Sequence, residues 1–221
     1  MAIITFHDIE RNEMIKNCIE QGNIVLGAIG YTEHAFAHAS RTAITASRII
    51  RAFNYDDRTE ELSRIAGFIH DIGNAINREQ HAQTGAILAF QILNGLGMPS
   101  NEIVEIISAI GNHDENSGSA FSPISAALIL ADKSDVRRSR VRTLDSTDFD
   151  IHDRVNYAVQ KSSLDINIEK KNIILRITLD TTLSTVIDYF EIFLTRMIMS
   201  RRAASFFDAS FSLVVNDTNL M

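Results

Sequence analysis

Six residues that lie far apart in the chain are of the types that bind transition metals, and they come in a definite order. A histidine, a histidine–aspartate pair, two further histidines and an aspartate follow one another, and the set includes four of the seven histidines. Imidazole nitrogens combined with carboxylate oxygens suit Mn, Fe, Zn, Co or Ni better than Ca, which prefers oxygen alone. We therefore expect one centre, built from several helices, that holds one or two divalent transition-metal ions. Its predicted ligands are His38, His70, Asp71, His81, His113 and Asp132.

The adjacent pair His70 and Asp71 needs a break in the helix that carries it. Neighbouring side chains on a regular helix point about 100° apart, so both reach one point only where the helix ends. Gly73 follows in the string GFIHDIGN and is well placed to end the helix, because glycine enters the left-handed region at little cost. In that arrangement Asp71 would bridge two ions while His70 binds one.

Composition limits the classes of protein that fit. The chain has 221 residues, of which 45% are hydrophobic, enough for one large domain or for one domain plus a small second one. Cys18 is the single cysteine, which leaves no internal disulfide and favours a reducing compartment. We see no signal segment and no apolar run of about 20 residues, so a cytoplasmic protein without a membrane partner is expected. The formal net charge of −7 disfavours a nucleic-acid polymer as partner, but metal ions would still admit a small anionic substrate.

Hydrophobic periodicity predicts a mainly α protein with a small C-terminal α+β appendage. Apolar residues recur at helical spacing up to about residue 145, including a helix from about Thr32 to Phe53 and one that opens at Ser122-Pro123. After that point LDINIE and LRITL alternate strictly, a long amphipathic segment follows, and FSLVVN reads as a last strand. We therefore predict a helical domain over 1–145 and a β-β-α-β unit over 146–221. This unit either covers an apolar face of the helical domain or forms a homodimer through an edge strand.

The strings around the six residues resemble those of the HD-domain metal-dependent phosphohydrolase superfamily. HASRTA, HDIGN, HAQTGA, NHDE and ILADKSD stand in the family's order between residues 31 and 142. The resemblance implies an HD-domain helical bundle. It also implies that His38, His70, Asp71 and Asp132 hold a first metal, and that His81 and His113 hold a second with Asp71 shared.

The chain departs from the cyclic-dinucleotide phosphodiesterase branch of that superfamily at three places. Asn74 stands where a lysine usually follows HDIG, and Asn112-His113 stands where a histidine pair is usual. Ser119-Ala120-Phe121 takes the place of the Gly-Tyr-Pro string. These differences argue against cyclic di-GMP as the substrate.

The function that this reasoning predicts is hydrolysis of a small phosphate ester, such as a nucleotide, by metal-activated water. Asp71 and Asp132 are the predicted catalytic residues, and cations close to the metal residues are predicted to bind the substrate phosphate: Lys133, Arg78 and Arg137. The basic run could instead be a solvated face that pairs with Asp145, Asp148 and Asp150.

Two other functions stay open at this stage. One is a di-iron oxygenase, which some members of the superfamily exemplify, and the other is a metal-dependent nucleotide binder without catalysis. We assign His34 to packing rather than to the site, and we expect residues 111–119 to form a mobile lid.

Overall fold

The computed structural model describes residues 3–142 and 150–220. Within the first range, seven α-helices form the helical part of the chain. Their bounds are α1 (Phe6–Arg11), α2 (Glu13–Ala28), α3 (Phe36–Ala52), α4 (Asp57–Ile69), α5 (His81–Gly95), α6 (Ser100–Gly111) and α7 (Pro123–Lys133).

Local capping explains where several of these helices begin. The Asn12 side chain accepts a hydrogen bond from the third residue of α2, and Asp56 does the same for α4. Ser122 caps α7 directly before Pro123, as the sequence predicted. The helix predicted from Thr32 begins four residues later, at Phe36, after an extended segment.

The turn after α4 differs from the sequence prediction in its backbone. Gly73 lies in a short 3-10 helix, Ile72–Ala75, and not in the left-handed conformation. Glycine is needed there for space, because a Cβ atom would lie 2.0 Å from the carbonyl oxygen of His81 and 2.5 Å from the amide of Gly85. The close approach brings the start of α5 against the His70-Asp71 turn.

The C-terminal part has a helix, two paired strands, a long helix and a final strand pair. The sheet has the order β1-β2-β3-β4, in which β1 and β2 are antiparallel, β2 and β3 are parallel, and β3 and β4 are antiparallel. The long helix makes the parallel crossover between β2 and β3. The bounds are α8 (Ile151–Ala158), β1 (Val159–Asn167), β2 (Asn172–Leu179), α9 (Val186–Phe206), β3 (Ser210–Val215) and β4 (Thr218–Asn219).

The described residues bury two apolar clusters. One lies among the N-terminal helices and includes Ile15, Ile69 and Leu93. The other joins α3 and α7 to the sheet and α9, for example through Ile50, Leu175 and Phe193. The C-terminal unit therefore covers an apolar face of the helical part, as one of the two hypotheses for it predicted.

The mainly α class with a small C-terminal sheet is confirmed. The predicted boundary at residue 145 lies outside the described residues and stays a prediction. Asp145 and Asp148, proposed as alternative partners of the basic run, also lie outside them. None of the helices among the described residues is long and apolar enough to cross a membrane.

Candidate metal centre

Five separate segments bring the six predicted metal ligands to one place. The four histidines are buried and the two aspartates are about seven-eighths buried. They project from the first turn of α3, the turn after α4, the first position of α5, the turn after α6 and the last turn of α7. In that order the residues are His38, His70 with Asp71, His81, His113 and Asp132.

All four imidazoles are oriented by an acceptor at Nδ1. His70 donates to the carbonyl of Gly67 at 2.9 Å, and His81 donates to that of Arg78 at 3.1 Å. His113 donates to the carbonyl of Ile110 at 2.6 Å.

His38 follows the same rule with a carboxylate as its acceptor, the Oδ2 of Asp135 at 2.8 Å. An acceptor at Nδ1 fixes the proton on that nitrogen and leaves Nε2 as the atom that can ligate a metal. In all four residues Nε2 is the atom that faces the cluster.

The Nε2 atoms form two close pairs. Those of His38 and His70 lie 3.3 Å apart, and those of His81 and His113 lie 3.2 Å apart. Two lone pairs at this distance repel each other unless a proton or a cation lies between them. Two nitrogens bound to one ion at about 2.1 Å would be separated by about 3.0–3.4 Å, so both pairs fit a shared ion.

Asp71 lies between the two pairs and presents one oxygen to each. Its Oδ2 is 3.4 Å from Nε2 of His70 and 3.7 Å from that of His38. Its Oδ1 is 3.5 Å from Nε2 of His81 and 3.6 Å from that of His113. This is the placement of a carboxylate that bridges two ions.

Asp132 lies closest to the first pair. Its Oδ1 lies 3.3 Å from Nε2 of His38 and 3.7 Å from that of His70. The donor set divides into four groups on one side and three on the other, with Asp71 counted in both. The residues therefore fit two divalent transition-metal ions, and their role as ligands remains a proposal.

The electrostatics of the cluster favour a cation. Burial alone would lower the pKa of His70, but Asp71 and Asp132 outweigh it and raise that pKa to about 10. Burial lowers the pKa of His81 to about 4. Burial opposes ionisation of Asp71, yet His70 and His113 hold its pKa well below the usual range. The pocket thus keeps two carboxylates ionised and draws positive charge toward them.

The predicted phosphate contacts lie in different surroundings. Lys133 is buried, and its Nζ lies 2.6 Å from Glu115 and 2.8 Å from Asp132. Arg137 is paired with Asp135 and Glu33. Both cations are therefore held by carboxylates of the protein, and their role as phosphate contacts stays a prediction.

Arg78 is the predicted phosphate contact that lines the cavity beside the cluster. Its guanidinium lies over the ring of Tyr31, and one of its nitrogens is 3.3 Å from Nε2 of His81. This places Arg78 beside the second pair of histidines.

A cavity of about 1120 Å³ opens beside the metal residues. Its walls come from the segment before α3, the turn before α5, the turn after α6 and the helices α8 and α9. His34 lines this cavity, and its ring lies edge-on to that of His38 with centroids 5.4 Å apart. The residue precedes the first turn of α3, and its assignment to packing rather than to the site stays a prediction.

Several residues of the site were missed by the sequence reasoning. Asp135 follows Asp132 by three positions in the string ADKSD. Residues at this spacing lie on the same side of a helix end, so the spacing could have indicated that Asp135 also lies near the cluster. The turn after α6 contacts two other helices. Gln83 of α5 donates to the hydroxyl of Ser117 at 3.3 Å, and Arg196 of α9 pairs with Glu115. Nothing in the sequence indicated that Arg196 of α9 would reach this turn.

Comparisons with known proteins find a similar sequence, a similar solved structure and a matching family. An uncharacterized protein of Methanocaldococcus jannaschii, MJ1020, is 23% identical in an alignment of 161 residues, and the match covers 62% of this chain and 61% of that protein. The chain thus spans about three fifths of that relative's length.

A solved structure described as a predicted HD superfamily hydrolase, from an uncultured Thermotogales bacterium, is 24% identical. The match covers 58% of this chain and 71% of the solved chain, with a TM-score of 0.45. The sequence profile of the HD domain matches residues 35–157, more than half of the chain, and these residues carry all six members of the cluster. The chain therefore belongs to the HD domain family.

Proposed function

We propose that this protein is a metal-dependent hydrolase of a small phosphate ester, with a nucleotide as the substrate class. The observation that carries the proposal is the position of Asp71, with one carboxylate oxygen toward each of two histidine pairs whose Nε2 atoms face the cluster. Membership in the HD domain family supports the same conclusion.

The chain's own residues would divide the work as follows. Asp71 and Asp132 stay ionised and supply the negative charge that holds cations in the cluster. Divalent metals held there would lower the pKa of a coordinated water toward 7 and neutralise phosphoryl oxygens. Asp132 lies closest to the first pair, and it is the carboxylate that we expect to orient the attacking water.

The cavity supports a substrate larger than a simple phosphate. Ligand sites of small molecules usually measure about 300–1,000 Å³, and this one reaches about 1120 Å³. Its lining combines apolar and aromatic side chains, such as Tyr31 and Phe193, with guanidinium groups. A phosphate joined to an aromatic base would use both kinds of surface.

The experiment that tests the proposal begins with metal content. Protein purified without chelators or a nickel column should contain close to two transition-metal ions per chain by elemental analysis. Loaded separately with Mn, Fe, Co, Ni and Zn, it should release phosphate from p-nitrophenyl phosphate or from one of a panel of nucleotides. Absence of bound metal after every loading would show that the proposal is wrong.

The same preparations separate the two alternatives. Oxygen consumption by the iron-loaded protein, without phosphate release, would indicate an oxygenase. Thermal stabilisation by a nucleotide, with no product formed under any metal, would indicate a binding protein.

A further inference from the structure

Two arginines reach the cavity from opposite parts of the chain. Arg140 lies within the segment matched by the HD domain, and Arg196 lies on α9, which is outside it. Both line the cavity beside the metal residues. The cavity wall therefore includes a cation that the common HD segment does not supply.

Arg140 has a donor that the described residues leave unused. Its Nε donates to the carbonyl of Glu33 at 2.8 Å, and its Nη1 donates to that of Asp135 at 2.9 Å. Its Nη2 is buried and has no hydrogen-bond partner among the described residues. Buried donors are nearly always satisfied in folded proteins, so a guanidinium nitrogen left over beside a cavity points to an acceptor on a ligand.

The guanidinium of Arg196 lies over the ring of Phe193, and Glu115 contacts one of its edges. Its Nε donates to Oε1 of Glu115 at 3.2 Å. Among the described residues, this is the one hydrogen bond that the Arg196 side chain makes. About a quarter of the side chain is exposed, and the residue lines the cavity. The two terminal nitrogens are thus available to a molecule that enters.

Arg196 shares its acidic partner with a second cation. Glu115 is shared between Arg196 and Lys133, and Lys133 also pairs with Asp132. Burial lowers the pKa of Arg140, and the nearby charge of Arg196 adds to that effect. Both residues line the same cavity, and an anion bound between two guanidinium groups would relieve their repulsion.

We propose that Arg140 and Arg196 together form the phosphate-binding pair of the cavity and contact the oxygens of the substrate's phosphate group. The inference rests on the proposed hydrolase function, whose site it completes. It assigns the phosphate contact to these two residues ahead of Lys133 and Arg137, which carboxylates of the protein already hold. It also gives α9 a direct part in substrate binding.

Inorganic phosphate is the probe that tests the pair, titrated calorimetrically into Mn-loaded protein whose metal content is checked for each variant. Arg196→Gln removes the charge and should weaken phosphate binding by about tenfold or more, as expected for a lost charge-assisted hydrogen bond. Arg202→Gln changes an exposed arginine of the same helix and should leave the affinity unchanged.

Glu115→Gln separates direct binding from an indirect effect. If Arg196 binds phosphate, this variant frees its Nε and removes a nearby negative charge, so phosphate should bind as tightly as in the wild type or more tightly. If Arg196 acts only through Glu115, both variants should weaken phosphate binding equally. Addition of free guanidinium should restore binding to Arg196→Ala but not to a variant damaged elsewhere.

Arg140→Lys keeps the charge, removes the unused donor and should also weaken binding. The other nitrogens of Arg140 donate to backbone carbonyls, so the Arg140→Lys variant could fail to fold. In that case the Arg196 variants alone test the inference. Wild-type protein that binds no phosphate, an Arg196→Gln variant with wild-type affinity, or equal losses in Arg196→Gln and Glu115→Gln would each overturn the inference. Calorimetry needs no turnover, so this result is separate from that of the hydrolysis assay.

Discussion

The Nδ1 atom of His38 lies 2.8 Å from Oδ2 of Asp135, on the side of the imidazole that faces away from the metal cluster. Asp135 is buried, and His38, Arg137 and Arg140 together hold its pKa far below the usual range although burial opposes this. The carboxylate therefore stays ionised and orients His38 while increasing the basicity of its Nε2.

Asp135→Asn should weaken metal binding by about 10- to 100-fold, because the amide keeps the shape of the side chain but loses its charge. Competition with a chromophoric chelator would measure the change. Asp165→Asn is the matched control, since Asp165 is exposed and pairs with the exposed Arg176. Equal metal affinity in Asp135→Asn and the control would contradict the role given to Asp135.

Asp71→Asn should have a larger effect than Asp135→Asn. An amide has one oxygen, and its NH2 group cannot ligate, so it cannot serve both histidine pairs. We expect the metal content to fall from two ions to one or fewer and hydrolysis to fall by more than about 100-fold. Elemental analysis and steady-state kinetics would measure both, and circular dichroism would show that the fold is retained. Full activity of this variant would remove Asp71 from the proposed mechanism.

Sequence order anticipated the convergence of the six cluster residues because each carries its own local string. HDIGN and HAQTGA, for example, place His70 and His81 at the two ends of the connection between α4 and α5. Helical periodicity and the Ser122-Pro123 start were equally readable, because they depend on neighbouring residues alone.

The surroundings of the cluster could not be predicted in the same way. The burial of Lys133 depends on Glu115, and the pairing of Glu115 depends on Arg196, which is 81 positions away. Such contacts are set by how α9 packs on α7, and no local pattern records them. The position of His34 depends on where α3 begins, and helix ends are the least certain part of a periodic pattern.

His70 should lose a proton when metal binds, whereas His81 should not. Asp71 and Asp132 overcome the effect of burial and raise the pKa of His70 to about 10, so its imidazole is protonated at pH 7 in the metal-free protein. Burial lowers the pKa of His81 to about 4, so that residue is already neutral. Since metal must displace the proton of His70, metal affinity should rise by about tenfold per pH unit between pH 6 and 9.

Nitrogen NMR of the imidazoles in metal-free protein would show the two protonation states directly. Calorimetric titration with metal, in buffers of different ionisation enthalpy, would count the protons released. A neutral His70 at pH 7, or a metal affinity that does not change with pH, would contradict this account.

Gly73→Ala should damage both the fold and one side of the cluster. The added methyl group would meet backbone atoms of His81 and Gly85 at 2.0 and 2.5 Å, and a backbone cannot move aside as a flexible side chain can. We expect the free energy of unfolding to fall by about 3 kcal/mol or more, at the upper end of the usual cost of overpacking. Because the start of α5 must shift, metal binding at His81 and His113 should weaken as well.

Gly95→Ala is the matched control: a Cβ there meets nothing within 4 Å, and alanine should stabilise the helix by up to about 1 kcal/mol. Urea denaturation and metal analysis of both variants would measure these effects. A Gly73→Ala protein as stable as the wild type would contradict the account that the close backbone contact requires glycine at this position.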